Sequence, residues 1–336
     1  MQDVFPPYRC CRSEEHGHDP RTPKYVILTD WRIVAEAASA PRLLCPVVDE
    51  RFVSANGVEF AYLCEGPSDG PLALCLHGFP DTAHTWRHLL PRLAEAGYRA
   101  VAPYLRGYSP TSVPADGRYD QGTLALDACA LHEELGGRED AVLIGHDWGA
   151  LTAYGALAHQ PGRWRKGVTA AVAPIASTGE RFFSFDQLRR SWYVFFFQLP
   201  FAEHVVERDG YAFIERLWAA WSPEYDATWD TAQVKKALAT PEHLAAALGY
   251  YRAMFGAPPE DPESGAALAA AMTVPPQPVL YLHGADDGCM GIDTIGPVTD
   301  HLAPGSELAV VQGAGHFVVL ERPDEVNDRI LAFLGG

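Results

Sequence analysis

From about residue 47 onward, short continuous apolar runs alternate with longer amphipathic stretches. The runs are LALCL (72–76), YRAVAP (98–103), AVLIGH (141–146), GVTAAVAP (167–174) and PVLYLHG (278–284). Each is too short for a helix of ordinary length and does not alternate with polar residues, the pattern of a strand buried on both faces. Helix patterns lie between them: AHTWRHLLPRLAEAG (83–97), GTLALDACALHEELGG (122–137) and DWGALTAYGALAHQP (147–161). SELAVVQG (306–313) predicts one more strand, and PDEVNDRILAFLG (323–335) a closing helix. Strands alternating with helices build βαβ units around a mostly parallel sheet. At its start, RFVSANGVEFAYLCEG (51–66) predicts two strands joined at Asn56-Gly57, a strong hairpin signal.

Two regions break this rhythm. Residues 175–273 are rich in aromatics and helix formers without a clear buried strand, and are expected to be an inserted helical lid. Residues 1–46, rich in Pro, Arg, His and acid, are expected to be a partly disordered N-terminal extension. The core is then expected in two pieces, 47–174 and 274–336. Cys10, Cys11, His16 and His18 lack the second ligand pair that a metal site needs, so no metal is expected there.

Composition narrows the function classes. The 336 residues fit one α/β domain with an insertion, and 48% hydrophobic content supplies a large core. A formal net charge of −17 argues against nucleic acid and anionic membrane surfaces as partners. Seven scattered cysteines do not read as a disulfide framework, so reduced thiols and a cytoplasmic location are expected. No apolar run is long enough for a membrane span, and no signal-peptide pattern opens the chain.

The chemistry sits where strands end. In GHDWGA (145–150), Gly145 and Gly149 flank Asp147 at the spacing of a nucleophile elbow, with a carboxylate where serine is usual. The sharp turn from strand to helix needs small residues two positions either side of the nucleophile. The plainer alternative is that Asp147 only caps the helix. HGFP (77–80) follows the LALCL strand, where such folds take one oxyanion donor; the amides of Phe79 and Trp148 are the matching pair. His316, in GAGHFVVLERP (313–323), lies between the last strand and the last helix, the place of a catalytic base. LHGADDGCMG (282–291) offers two adjacent acids, Asp286 and Asp287, to orient it.

Taken in order, these motifs resemble the α/β-hydrolase superfamily from about Val47 to the C-terminus, and the aspartate elbow with HGFP is most similar to the epoxide hydrolases. The resemblance implies an α/β-hydrolase fold, a mostly parallel central sheet flanked by helices with an inserted helical lid. In that family the acid lies three residues after the glycine ending its strand; counting from Gly284 selects Asp287. It also implies two tyrosines that bond the ring oxygen. SWYVFFFQLP (191–200) points to Tyr193 and LGYYRAMF (248–255) to Tyr251, with Tyr250 the competing neighbour.

An aspartate suits that chemistry. With a reference pKa near ~3.9 it is ionised at neutral pH and can attack a saturated carbon directly. His316, oriented by Asp287, is then free to activate water against the resulting ester. The expected activity is cofactor-independent opening of a small apolar epoxide to a vicinal diol, with no metal. Phe195, Phe196, Phe197, Trp218 and Trp221 are candidates for an apolar substrate site or for packing within the lid. The alternatives are a haloalkane or haloacid dehalogenase and a non-catalytic ligand-binding member of the fold. Phe79 in place of the dehalogenase asparagine, and Trp148 in place of the haloacetate enzymes' arginine, favour the epoxide. Oligomeric state, a homodimer included, is not legible.

Overall fold

The structure is a computed structural model that describes residues 51–335. The N-terminal extension and its Cys10, Cys11, His16 and His18 lie outside the described residues. Eight strands form one sheet among those residues, in the order β1-β2-β4-β3-β5-β6-β7-β8. β1 (Arg51–Ala55) and β2 (Val58–Glu65) form the expected hairpin; Asn56 and Gly57 both take positive φ, 43° and 73°. A two-residue turn of this kind matches the twist of the flanking strands. β2 runs antiparallel to β4 (Arg99–Pro103), and from β4 across the sheet all pairings are parallel.

β3 (Leu72–Leu76), β5 (Ala141–His146) and β7 (Val279–Gly284) are buried at every position, which is why they read as unbroken apolar runs. β6 (Trp164–Ala170) begins earlier than its apolar run suggested. Its first turn of residues, Trp164-Arg165-Lys166, is polar in part, yet the three lie on the strand: Arg165 reaches Tyr98 and the Leu334 carbonyl, and Lys166 the Phe333 carbonyl. It ends before Ala171, whose φ of 69° breaks the extended run. β8 (Glu307–Val311) closes the sheet.

The single helix expected over 83–97 is two pieces, a 3-10 turn at Ala83–Trp86 and α1 (Leu90–Glu95). Pro91 has no N–H to continue a helix from residue 87 and restarts one instead. α2 (Gln121–Glu134) and α3 (Trp148–His159) pack together on one face of the sheet. Asp120 caps α2, accepting from the Thr123 amide at 2.9 Å.

Between β6 and β7 the chain is helical: α4 (Ile175–Thr178), α5 (Phe185–Arg190), α6 (Trp192–Phe196), α7 (Ala202–Trp221), α8 (Thr228–Ala237), α9 (Pro241–Met254) and α10 (Pro262–Ala270). α7 is broken at residues 208–211 by non-helical backbone. After β8 come α11 (Val318–Glu321) and α12 (Pro323–Gly335). No helix among the described residues is long and apolar enough to cross a membrane.

Candidate active site

β5 delivers Asp147 to the carboxyl edge of the sheet, the edge at which open α/β sheets bind ligands. The backbone there is held in a conformation that few non-glycine residues adopt, φ 54° and ψ −115°. Such strain persists only where the surroundings enforce it. The flanking glycines show how: a Cβ on Gly145 would lie 2.1 Å from the Gly149 carbonyl oxygen, and one on Gly149 2.1 Å from the Leu76 carbonyl oxygen. β3, β5 and α3 therefore meet backbone to backbone, and the nucleophile position projects from the crest. Asp147 makes no side-chain cap bond to α3, which removes the helix-cap alternative.

The Phe79 amide donates to Asp147 Oδ1 at 2.8 Å, so the loop after β3 and the elbow after β5 meet on one carboxylate oxygen. The other oxygen, Oδ2, stands 3.5 Å from His316 Nε2. His316 Nδ1 lies 3.0 Å from Asp287 Oδ2. Asp287 Oδ1 in turn accepts from the amides of Cys289 at 2.7 Å and Met290 at 2.8 Å. With both of its oxygens engaged as acceptors, Asp287 assigns the proton to His316 Nδ1 and turns the Nε2 toward Asp147. The exposed neighbour Asp286 makes no such contact.

Charge follows the geometry. Burial alone would raise the Asp147 pKa, but the neighbouring His316 ring and the hydrogen bond from the Phe79 amide outweigh it and hold the carboxylate below its ordinary range. Burial opposes a charged His316, yet the acidic groups of Cys289, Asp287 and Asp147 around it push its pKa well above the usual imidazole value.

Tyr193 and Tyr251 stand over Asp147 on α6 and α9. Their rings meet edge to face at 5.6 Å, and Tyr251 also packs on Phe79 at 5.1 Å and Trp148 at 5.2 Å. Burial, helped by the Asp147 charge, keeps both phenols neutral, far above the ordinary tyrosine range. The adjacent Tyr250 is committed elsewhere: its hydroxyl donates to the Arg106 carbonyl at 2.9 Å.

A cavity of about 460 Å³ opens onto Asp147, Trp148, Tyr193 and Tyr251. Its remaining wall is mainly apolar, including Val172, Phe182, Phe255, Leu268 and Met272. The five aromatics singled out in the sequence do not line it. Phe197, Trp218 and Trp221 are buried in packing, and Phe195 is 40% exposed.

Three contributors carried no legible sequence signal. His146, beside the nucleophile position, holds the His316 carbonyl through Nε2 at 2.9 Å. The Trp221 carbonyl accepts from both the Gly288 and His316 amides, at 3.1 and 3.0 Å, and so ties the acid loop to the histidine loop. Cys289 is buried in the cavity wall, with its Sγ 3.2 Å from the Tyr193 hydroxyl.

A model of the alpha/beta hydrolase family matches residues 73–329. An epoxide hydrolase of Caballeronia sordidicola is 30% identical, the match covering 85% of this chain and 94% of that protein. Epoxide hydrolase A of Mycobacterium tuberculosis is 28% identical, covering 85% and 97%. Among solved structures, epoxide hydrolase A from Mycobacterium thermoresistibile superposes with a TM-score of 0.71 at 28% identity, covering 86% of this chain and 98% of that one.

Proposed function

This chain belongs to the α/β hydrolase family and is epoxide-hydrolase-like, and from that premise we propose that it opens a small apolar epoxide to a vicinal diol through an alkyl ester on Asp147. The observation that carries the reading is an ionised aspartate at the elbow, with one oxygen bound by the Phe79 amide and the other directed at His316.

The division of labour between the two oxygens follows from their partners. Oδ2 attacks a ring carbon, and the C–O bond on that carbon breaks. The leaving alkoxide is strongly basic and needs a proton donor. Tyr193 and Tyr251, neutral because they are buried, supply O–H groups to it. The product is an ester whose carbonyl oxygen is Oδ1, still beside the Phe79 amide.

Ester formation removes the Asp147 charge, one of the influences that raise the His316 pKa. Any proton on Nε2 then passes to the phenoxide left by ring opening, and the nitrogen is free to act as a base. A water then loses a proton to Nε2 and attacks the Asp147 carboxyl carbon. The negative charge that develops on Oδ1 meets the Phe79 and Trp148 amides, preorganised donors at the position where charge appears. Collapse breaks the acyl–oxygen bond, the departing alkoxide takes the proton held on His316 Nε2, and the diol is released. A mainly apolar wall with few polar groups suits an apolar substrate and admits it without an unpaired charge.

The atom balance supplies the test. The oxygen that leaves in the diol is Oδ2, and the oxygen of water stays in Asp147. A single turnover of an aryl epoxide in heavy-oxygen water should give unlabelled diol and a labelled Asp147 peptide. Labelled diol in that first turnover, or halide release from haloalkanes without diol from epoxides, would refute the proposal.

A further inference from the structure

Cys289 has no part in the reaction above, yet its thiol faces the same space as the nucleophile and the base. Asp147 Oδ2, Cys289 Sγ and His316 Nε2 belong to three buried residues, and one donor atom from each lies within 4.8 Å of the others. His316 is fully buried and its Nε2 has no hydrogen-bond partner. We propose that these three side chains form a binding site for a thiophilic divalent cation, Zn²⁺ or Cd²⁺, whose occupancy blocks turnover.

The distances fit such an ion. Bonds of about 2.0–2.1 Å to nitrogen and oxygen and ~2.3 Å to sulfur set tetrahedral donors roughly 3.3–3.6 Å apart. His316 Nε2 and Asp147 Oδ2 already stand 3.5 Å apart. The Cys289 sulfur lies within 4.8 Å of the other two donors, so a small movement of its side chain completes three corners, with the fourth facing the cavity.

The outer contacts are in place too. His316 gives its Nδ1–H to Asp287, the carboxylate–histidine arrangement that fixes a metal-binding imidazole. The second oxygen of Asp287 receives the Cys289 amide, so one carboxylate orients two ligands. The Phe79 amide holds Asp147 Oδ1 and leaves Oδ2 for the ion.

Charge balance favours occupancy. A dication with one thiolate, one carboxylate and one neutral imidazole is neutral, which suits a site removed from water. The Cys289 thiol proton, and any proton on His316 Nε2, pass to solvent as the bonds form. A sulfur–nitrogen–oxygen set selects zinc and cadmium over Mg²⁺ and Ca²⁺, which require more oxygen ligands. Bound there, the ion engages both the nucleophile and the base.

The test is a Cd²⁺ titration of the full chain, followed by the ultraviolet thiolate-to-cadmium charge-transfer band. The wild type should show one equivalent more than Cys289→Ala, whose six remaining cysteines serve as the internal control. Asp147→Asn and His316→Gln keep the thiol and should bind that equivalent at least ~10-fold more weakly. Thermal melts of all variants check folding. Zn²⁺ should inhibit epoxide turnover by the wild type, a chelator should restore it, and Mg²⁺ should have no effect. The proposal is overturned if Cys289→Ala titrates like the wild type, or if Asp147→Asn and His316→Gln bind Cd²⁺ with undiminished affinity. The band does not depend on the assigned reaction. A normal titration from a chain that opens no epoxide supports the site and counts only against the epoxide reading.

Discussion

Replacing Asp287 by Asn isolates the orienting role of one carboxylate. The two backbone amides at Oδ1 require an acceptor, so the Asn oxygen takes that place and its NH₂ group takes the place of Oδ2. That NH₂ then faces His316 Nδ1, 3.0 Å away in the parent, where the ring had been donating. Two donors cannot share the contact. The imidazole relieves it by moving its proton to Nε2, which can then no longer accept one from water. Loss of general-base catalysis costs about 10²–10⁴ in rate, roughly 3–5 kcal/mol on the barrier to ester hydrolysis. Attack by Asp147 needs no base and should slow far less. Rapid-quench kinetics on an aryl epoxide should therefore show a burst of one equivalent consumed, with diol following slowly. Intact-protein mass spectrometry should find the ester accumulated. Asp287 has no such orienting role if ester formation and hydrolysis slow by the same factor, or if hydrolysis is unchanged.

The adjacent tyrosines should separate in the same assay. Tyr251→Phe should slow ring opening by about 10²-fold, as for removal of one oxyanion donor, with little change in melting temperature. Tyr250→Phe should keep most of the activity and lose about 1 kcal/mol of stability, its hydrogen bond to the Arg106 carbonyl. The reverse pattern would exchange their roles. Asp81 supplies a pH test outside the reaction. Burial raises its pKa to about 8, and its Oδ2 has no hydrogen-bond partner. The folded chain keeps this proton where the unfolded chain releases it. Stability should therefore fall as pH rises from about 4 to about 8. Asp81→Asn should escape that loss, so melting curves of the two proteins should diverge through this window and run parallel above it. Curves parallel throughout would rule out a buried, protonated Asp81.

What the sequence disclosed depended on the kind of physics involved. β3, β5 and β7 were legible because burial on both faces leaves a continuous apolar run. The elbow was legible because steric exclusion leaves glycine at two fixed positions. Tyr250 and Tyr251 were not separable. Consecutive helical residues point about 100° apart, and only the tertiary placement of α9 decides which meets Arg106 and which stands over Asp147. Cys289 belongs to no local pattern, and its place beside the site depends on β7 and α6 coming together. The Trp221 carbonyl is a backbone atom and carries no residue preference. Phe195, Phe196, Phe197, Trp218 and Trp221 read equally as pocket or packing because aromatic residues pack and bind with the same surfaces; none of them lines the cavity.

That same carbonyl has a mechanical consequence. It is one bolt through two plates: the strand-end loop bearing the acid and the loop bearing the histidine hang from the last residue of α7. Swinging that end outward would drag both loops apart and dismantle the catalytic alignment. Along the cavity wall, Met254 and Phe255 at the end of α9 are 46% and 50% exposed. The chain has its hinge pin beside the chemistry, while part of its cavity wall meets solvent at the end of α9.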